Sequence, residues 1–278
     1  MNLHYIQRTL RAAVILTLFA VGVFAETANG QILSRGDLFG PGAPPPMIGV
    51  EAGFASHSQI GTFQAACGCD FDEGSGSGFV GNILFELPID YSWAFGIKTG
   101  IDFKNTSGTA FVHDTAVIRF VRNGDSLTTS GRIDFNREGD VSLTYLNFIP
   151  YARYQFYRDG PFLQLGAGID LLVGSHFTHK RTLTKTTAQL EDNTTIDNIK
   201  FENGTREETL EDGEVTNASG IRLGALLTFG YDFPASERSV ISPMITIDYP
   251  ISAVRQENAQ GWKLSTVEGS VAFKFKLN

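Results

Sequence analysis

From Met47 onward, apolar and polar residues take turns in run after run. Period two is the mark of a strand with unlike surroundings on its two faces, such as lipid on one side and a lumen on the other. The last run is the clearest. Val267, Gly269, Val271, Phe273, Phe275 and Leu277 share one face, and Glu268, Ser270, Ala272, Lys274 and Lys276 share the other. A strand buried on both sides in a soluble sandwich could not hold three charges on an inner face without a large desolvation cost. Seven earlier runs repeat the pattern: Met47–His57, Gly78–Leu87, Trp93–Lys104, Val141–Tyr157, Phe162–Val173, Ile221–Phe233 and Val240–Pro250, with Trp262–Asn278 as the eighth.

The connections alternate in length. Pro88–Ser92, Arg158–Pro161 and Pro234–Ser239 are tight turns. His57–Ser77, Asn105–Asp140 and His176–Ser219 are long polar stretches, and Val254–Gly261 is a shorter one. Short turns on one side and long loops on the other belong to a closed barrel spanning a bacterial outer membrane. The expected fold is therefore all-β, an eight-stranded antiparallel up-and-down transmembrane barrel. An even strand number returns both ends of the barrel to the short-turn side. Tyr91, Trp93, Tyr154, Phe156, Tyr157, Tyr231, Phe233, Tyr249 and Phe275 are expected at that side as an interfacial girdle.

The N-terminus supplies the address. Met1–Arg11 carries two Arg and no acid, Ala12–Phe24 is apolar, and Val23-Phe24-Ala25 offers a cleavage site. Residues 1–25 read as a signal peptide, because thirteen apolar residues fall short of the roughly 20 that a spanning helix needs. Residues 26–46 are Gly/Pro-rich and end in Pro44-Pro45-Pro46, the composition of an extended periplasmic linker. The barrel then occupies 47–278. A net charge of −8 speaks against nucleic acid as a partner, since phosphate binding needs a basic face.

The same alternation names the lumen. Inward charges are Glu51, Glu86, Lys98, Asp102, Lys104, Arg153, Asp170, Arg222, Asp232, Asp248, Glu268, Lys274 and Lys276. Eight strands enclose a space just wide enough for side chains to fill, and buried charges must pair, so a salt-bridged plug is expected. Gly96, Gly100, Gly166, Gly168, Gly224 and Gly230 fall on the inner face and leave room for long neighbours. Neither Gly166-x-Gly168 nor Gly74-x-Gly76-x-Gly78 precedes a helix, so neither reads as a phosphate cradle.

Other chemistry is sparse. Cys67 and Cys69 are candidates for a loop disulfide in an oxidising compartment; two thiols without a His make a poor zinc site, and intermolecular pairing or free thiols remain open. Glu202–Glu214 is acidic but lacks the spacing of a calcium loop. No G-x-S-x-G or H-E-x-x-H occurs, so no enzyme activity, cofactor or metal is expected.

Several segments together resemble a known group: Gly74-Ser-Gly-Ser-Gly-Phe79 leading into NILFELPI, Phe148-Ile-Pro-Tyr-Ala-Arg-Tyr154, Phe162-Leu-Gln-Leu-Gly-Ala-Gly168, and the closing VAFKFKLN. From Met47 onward the chain is similar to small outer-membrane β-barrels of the OmpA/OmpX type, with a look of Bacteroidota barrel proteins. The resemblance implies outer-membrane lipids and the barrel-assembly machinery as partners. It departs from the group at Asn278, where a terminal aromatic is common, which leaves recognition to Phe273 and Phe275. The barrel is expected to stand without the peptidoglycan-binding domain that many relatives append. The expected role is a structural anchor that presents outer loops to an extracellular or envelope protein; alternating runs in the second and third loops, Ala116–Val121 with Arg132–Phe135 for example, predict that barrel strands extend as hairpins beyond the membrane. The alternatives are a narrow channel or conduit for a small hydrophobic molecule, and a component of a secretion or assembly complex.

Overall fold

The computed structural model describes residues 44–65, 70–122, 125–157, 159–190, 194–201, 203–255 and 261–277. The segments expected to be the signal peptide and the linker before Pro44, and both Cys67 and Cys69, lie outside the described residues.

Eight strands form the frame: β1 (Met47–Ile60), β2 (Ser75–Pro88), β3 (Trp93–Arg122), β4 (Asp125–Gln155), β5 (Pro161–Leu183), β6 (Ile221–Tyr231), β7 (Ser239–Pro250) and β8 (Lys263–Lys276). Each pairs antiparallel with its sequence neighbour, and β1 pairs with both β2 and β8, which closes the ring. Closure leaves no open edge at lipid depth, as a spanning sheet requires.

The tight turns are held by their own polar groups. Asp90 Oδ1 accepts hydrogen bonds from the backbone N–H of Ser92 and of Trp93, both at 2.7 Å, which sets the β2–β3 reversal. Phe156 N–H donates to Pro161 O at 3.1 Å across the β4–β5 turn. Most of the expected girdle stands at this end. Tyr249 does not: β7 starts at the short turn, and Tyr249 is its penultimate residue, opposite Ala225 at the other rim.

The second and third long connections bear the hairpin extensions expected beyond the membrane. Much of 57–77, 105–140 and 176–219 is strand rather than loop. β3 and β4 hold 30 and 31 residues and stay in register from Trp93↔Tyr154 to Arg122↔Asp125. A tilted crossing takes about 9–11 residues, so the hairpin runs on well past any bilayer. A further strand, Glu207–Gly213, pairs with the upper part of β5.

The extensions alternate in the opposite sense to the crossing strands. On lower β4, Asn147 and Arg153 face in while Leu146 and Phe148 face out. On upper β4, Val141, Leu143 and Tyr145 face in while Ser142 and Thr144 face out. Where lipid lies outside, the polar face turns inward; where water lies outside, the apolar face does. The upper interior is accordingly an ordinary apolar core of Phe63, Phe71, Val141, Leu143, Tyr145, Phe177, Val254, Trp262 and Leu264. A second core, farther out, joins Ile118, Phe120, Ile133 and Phe135 of the hairpin to Leu183, Ile199 and Phe201.

One bulge makes the inversion possible on β5. Below it, Phe162, Gln164 and Asp170 face in, all at even positions. The ladder to β4 then slips, with Tyr145 opposite Leu172 and Thr144 opposite Gly174, so that Val173 is the extra residue. Above the slip the odd positions Phe177 and His179 face in. A one-residue shift moves every later side chain to the other face.

Candidate functional site in the lumen

The barrel interior is layered. A cavity of ≈ 220 Å³ opens at the short-turn end, lined by Pro44, Pro45, Trp93, Gln155 and Lys276 among others. Its floor is a quartet of charges. Arg153 Nη1 donates to Glu86 Oε1 at 2.5 Å, and Nη2 donates to Asp232. Lys274 Nζ donates to Asp232 Oδ1 at 3.1 Å, and Ser242 Oγ donates to the same oxygen at 2.6 Å. Tyr151 OH completes Glu86 at 3.2 Å. Phe162 lies across the middle, with the Arg153 guanidinium 4.0 Å from its ring centre. The two large rings fit because of glycine: a Cβ on Gly96 would come within 2.2 Å of Tyr151, and one on Gly230 within 2.3 Å of Phe162.

The middle layer holds Glu51, Lys98 and Glu268. Lys98 Nζ is 2.9 Å from Glu51 Oε2, and Ser270 Oγ donates to Glu51 Oε1 at 2.7 Å. Thr228 and Thr246 hydroxyls share a 2.9 Å hydrogen bond. A cavity of ≈ 20 Å³ remains beside them, lined also by Asn82, Gln164 and Glu268.

In the upper layer, Arg222 spans Asp170 at 2.5 Å and Asp248 at 2.6 Å, and it donates to Leu264 O at 3.1 Å. Lys104 pairs with Asp102 at 2.7 Å and bonds Thr266, whose hydroxyl also meets His57 Nδ1 at 3.0 Å. Above this lies the apolar cap. Phe63 packs edge-on against Trp262 and Phe177, each at 4.9 Å, and Arg255 bonds Gln64 O over the same ring.

All thirteen charges named from sequence thus face the interior. Twelve meet in the three layers, while Lys276 stands at the mouth. Alternation alone did not find Tyr151, Phe162, Tyr145 and His57, which are apolar or weakly polar members of the same inner face. Their parity with Arg153, Gln164, Asn147 and Glu51 was the available signal.

The outer face completes the description. Ile48, Val50, Phe79, Ile83, Phe95, Leu165, Phe229, Ile245, Val267 and Val271 all stand exposed around the lower ring, and Phe54 is 82% exposed. Charges packed inside an apolar exterior make sense only in lipid. This is a membrane-spanning β-barrel. Among the described residues no helix is long and apolar enough to cross, and the barrel crosses with strands.

No family model matches the barrel, and no curated protein does. Solved structures similar to it include Ail, the attachment invasion locus protein of Yersinia pestis, in complex with the heparin analogue sucrose octasulfate (8% identity, 84% of this chain and 99% of that one, TM-score 0.31). Neisserial surface protein A is similar at 12% identity over 83% and 97%, TM-score 0.31. The outer membrane protein OprG from Pseudomonas aeruginosa is similar at 9% over 85% and 97%, TM-score 0.35. Similarity at that level assigns no role to the barrel.

The cap has its own titration. His179 is buried between Phe71, edge-on at 5.6 Å, and Phe177, stacked at 6.2 Å. Burial lowers its pKa from the ordinary 6.5, and the nearby Arg137 adds to this, with Glu211 opposing. The neutral ring is the folded form, so an unfolded cap takes up a proton first. Its contribution is full above pH about 6.5 and is lost as pH falls below that value. Cap resistance to protease is expected to drop between pH 7.5 and 5.5, and the His179→Phe variant to lose that dependence. Equal pH dependence in the variant would refute the assignment.

Proposed function

We propose that the barrel is a closed anchor in a bacterial outer membrane, and that its working part is the β-structure it holds outside the cell. The observation that supports this most is the pairing of two features in one chain. The lumen is filled by three ion-paired layers and an apolar cap, and the β3–β4 hairpin continues beyond the belt with cores of its own. A channel would gain nothing from a capped lumen. An anchor gains a rigid stalk whose exposed strands and turns can meet an extracellular or envelope partner.

The test joins a surface measurement to an electrical one. A short epitope inserted between Asn123 and Gly124 is expected to be labelled on intact cells. The untagged mature barrel is expected to be silent in a planar bilayer after its heat-modifiable mobility shows that it has folded. Steady unit conductance, or an epitope reached only after lysis, would sink the proposal.

A further inference from the structure

We infer that the middle of the lumen is a binding site for one small monovalent cation, held by Glu268 together with the oxygens of Thr228, Thr246, Gln164 and Asn82. This goes beyond the anchor role and does not depend on it.

Charge balance is the first observation. Across the three layers seven carboxylates (Glu51, Glu86, Asp102, Asp170, Asp232, Asp248 and Glu268) face five bases (Lys98, Lys104, Arg153, Arg222 and Lys274). The quartet at the mouth is balanced. The middle layer has two carboxylates and one ammonium. Lys98 is committed to Glu51 at 2.9 Å, and Glu268 is left with the Ser270 hydroxyl and the more distant field of that same Lys98, with no ion pair of its own among the described residues. A half-buried carboxylate that must share its only nearby ammonium with a second carboxylate is costly.

The cavity is the second. It measures ≈ 20 Å³ and lies against Glu268. Space of roughly 10–15 Å³ or more suffices for one water, so the cavity takes one water-sized occupant and no more. Oxygen-bearing side chains dominate its polar lining: Glu51, Glu268, Asn82, Gln164, Thr228 and Thr246.

The third observation is independent of both. Asn82 lines the cavity, is only 6% exposed, and its Oδ1 accepts no hydrogen bond. A buried amide oxygen without a donor is an acceptor in want of a proton or a cation. Hard oxygen ligands suit an alkali or alkaline-earth ion. Lys98 in the same lining and the one uncompensated charge of the middle layer select the monovalent one.

The test uses the refolded mature barrel in detergent, at equal ionic strength in sodium, potassium or choline chloride. The urea midpoint is expected to be higher in one alkali salt than in choline chloride, since binding to the folded form stabilises it. Broadening of the ²³Na resonance by the barrel is expected in parallel. Both effects are expected to be lost in Glu268→Gln and in Thr246→Val, the second variant serving if the first fails to fold. Equal midpoints in all three salts without broadening would overturn the inference and leave a proton on Glu268 as the counter-charge. A cation effect that survives both substitutions would overturn it too, because the ion would then sit elsewhere.

Discussion

Replacing Arg153 with alanine is expected to destabilise the barrel by about 3–5 kcal/mol, the cost of removing one partner from a buried ion pair. Arg153 is 2% exposed, and its guanidinium joins Glu86 on β2 to Asp232 at the foot of β6 at closer range than Lys274 does. Without it, Glu86, 1% exposed, keeps the Tyr151 hydroxyl and a distant Lys274 at 3.9 Å. Asp232 keeps Lys274 and Ser242. Phe162 loses the cation on its face. Urea unfolding in vesicles would read the loss. The control removes charge from both sides: Arg153→Met combined with Glu86→Gln is expected to recover most of it, because the large term is the stranded carboxylate and not the pair's own attraction. The alanine variant is expected to stay electrically silent, since the middle and upper layers and the cap still fill the lumen. A cost under about 1 kcal/mol would mean that water already solvates the quartet, and the lumen would be wetter than its packing indicates.

How much of this was legible in the residues differs from layer to layer. Alternation exposes the crossing strands because lipid imposes an apolar outer face on every one of them, and the inner charges follow by parity. The partners within each layer are another matter. That Arg222 joins Asp170 to Asp248, while Lys104 turns to Asp102, depends on register and strand tilt around the ring. No local pattern encodes either. The hairpin extensions were legible in part, from alternating runs such as Ala116–Val121 and Arg132–Phe135. Thr128, Ser130, Asn136 and their like give 105–140 a polar composition, while Ile118, Phe120, Ile133 and Phe135 fill a core. Their full length and inner face needed the sense of the alternation as well as its period. The bulge at Val173 carries no mark of its own, since Leu171, Leu172 and Val173 read as one apolar run. Tyr249 went to the wrong rim because an aromatic near a strand end looks the same at either end.

That reversal of sense divides the molecule into two parts with different solvents, and the division has a measurable edge. Trp262 marks it. It is 2% exposed, the largest of the fully buried side chains, and it lies above the Arg222 layer against Phe63. Trp262→Ala is expected to cost about 3–5 kcal/mol, as large-to-small changes at buried aromatic positions do. The loss should be confined to the cap. The crossing strands owe their stability to a lipid-facing belt and to ion pairs that Trp262 does not touch, so heat-modifiable mobility should be unchanged. Protease added outside sealed vesicles should cut the 57–77 and 176–219 segments of the variant far faster than those of the parent chain. Ser142→Ala, an outward change at the same height, should leave the cleavage rate alone. If the variant instead failed to insert, or lost mobility shift and cap together, the two parts would be one cooperative unit and the cap would belong to the assembly of the barrel itself.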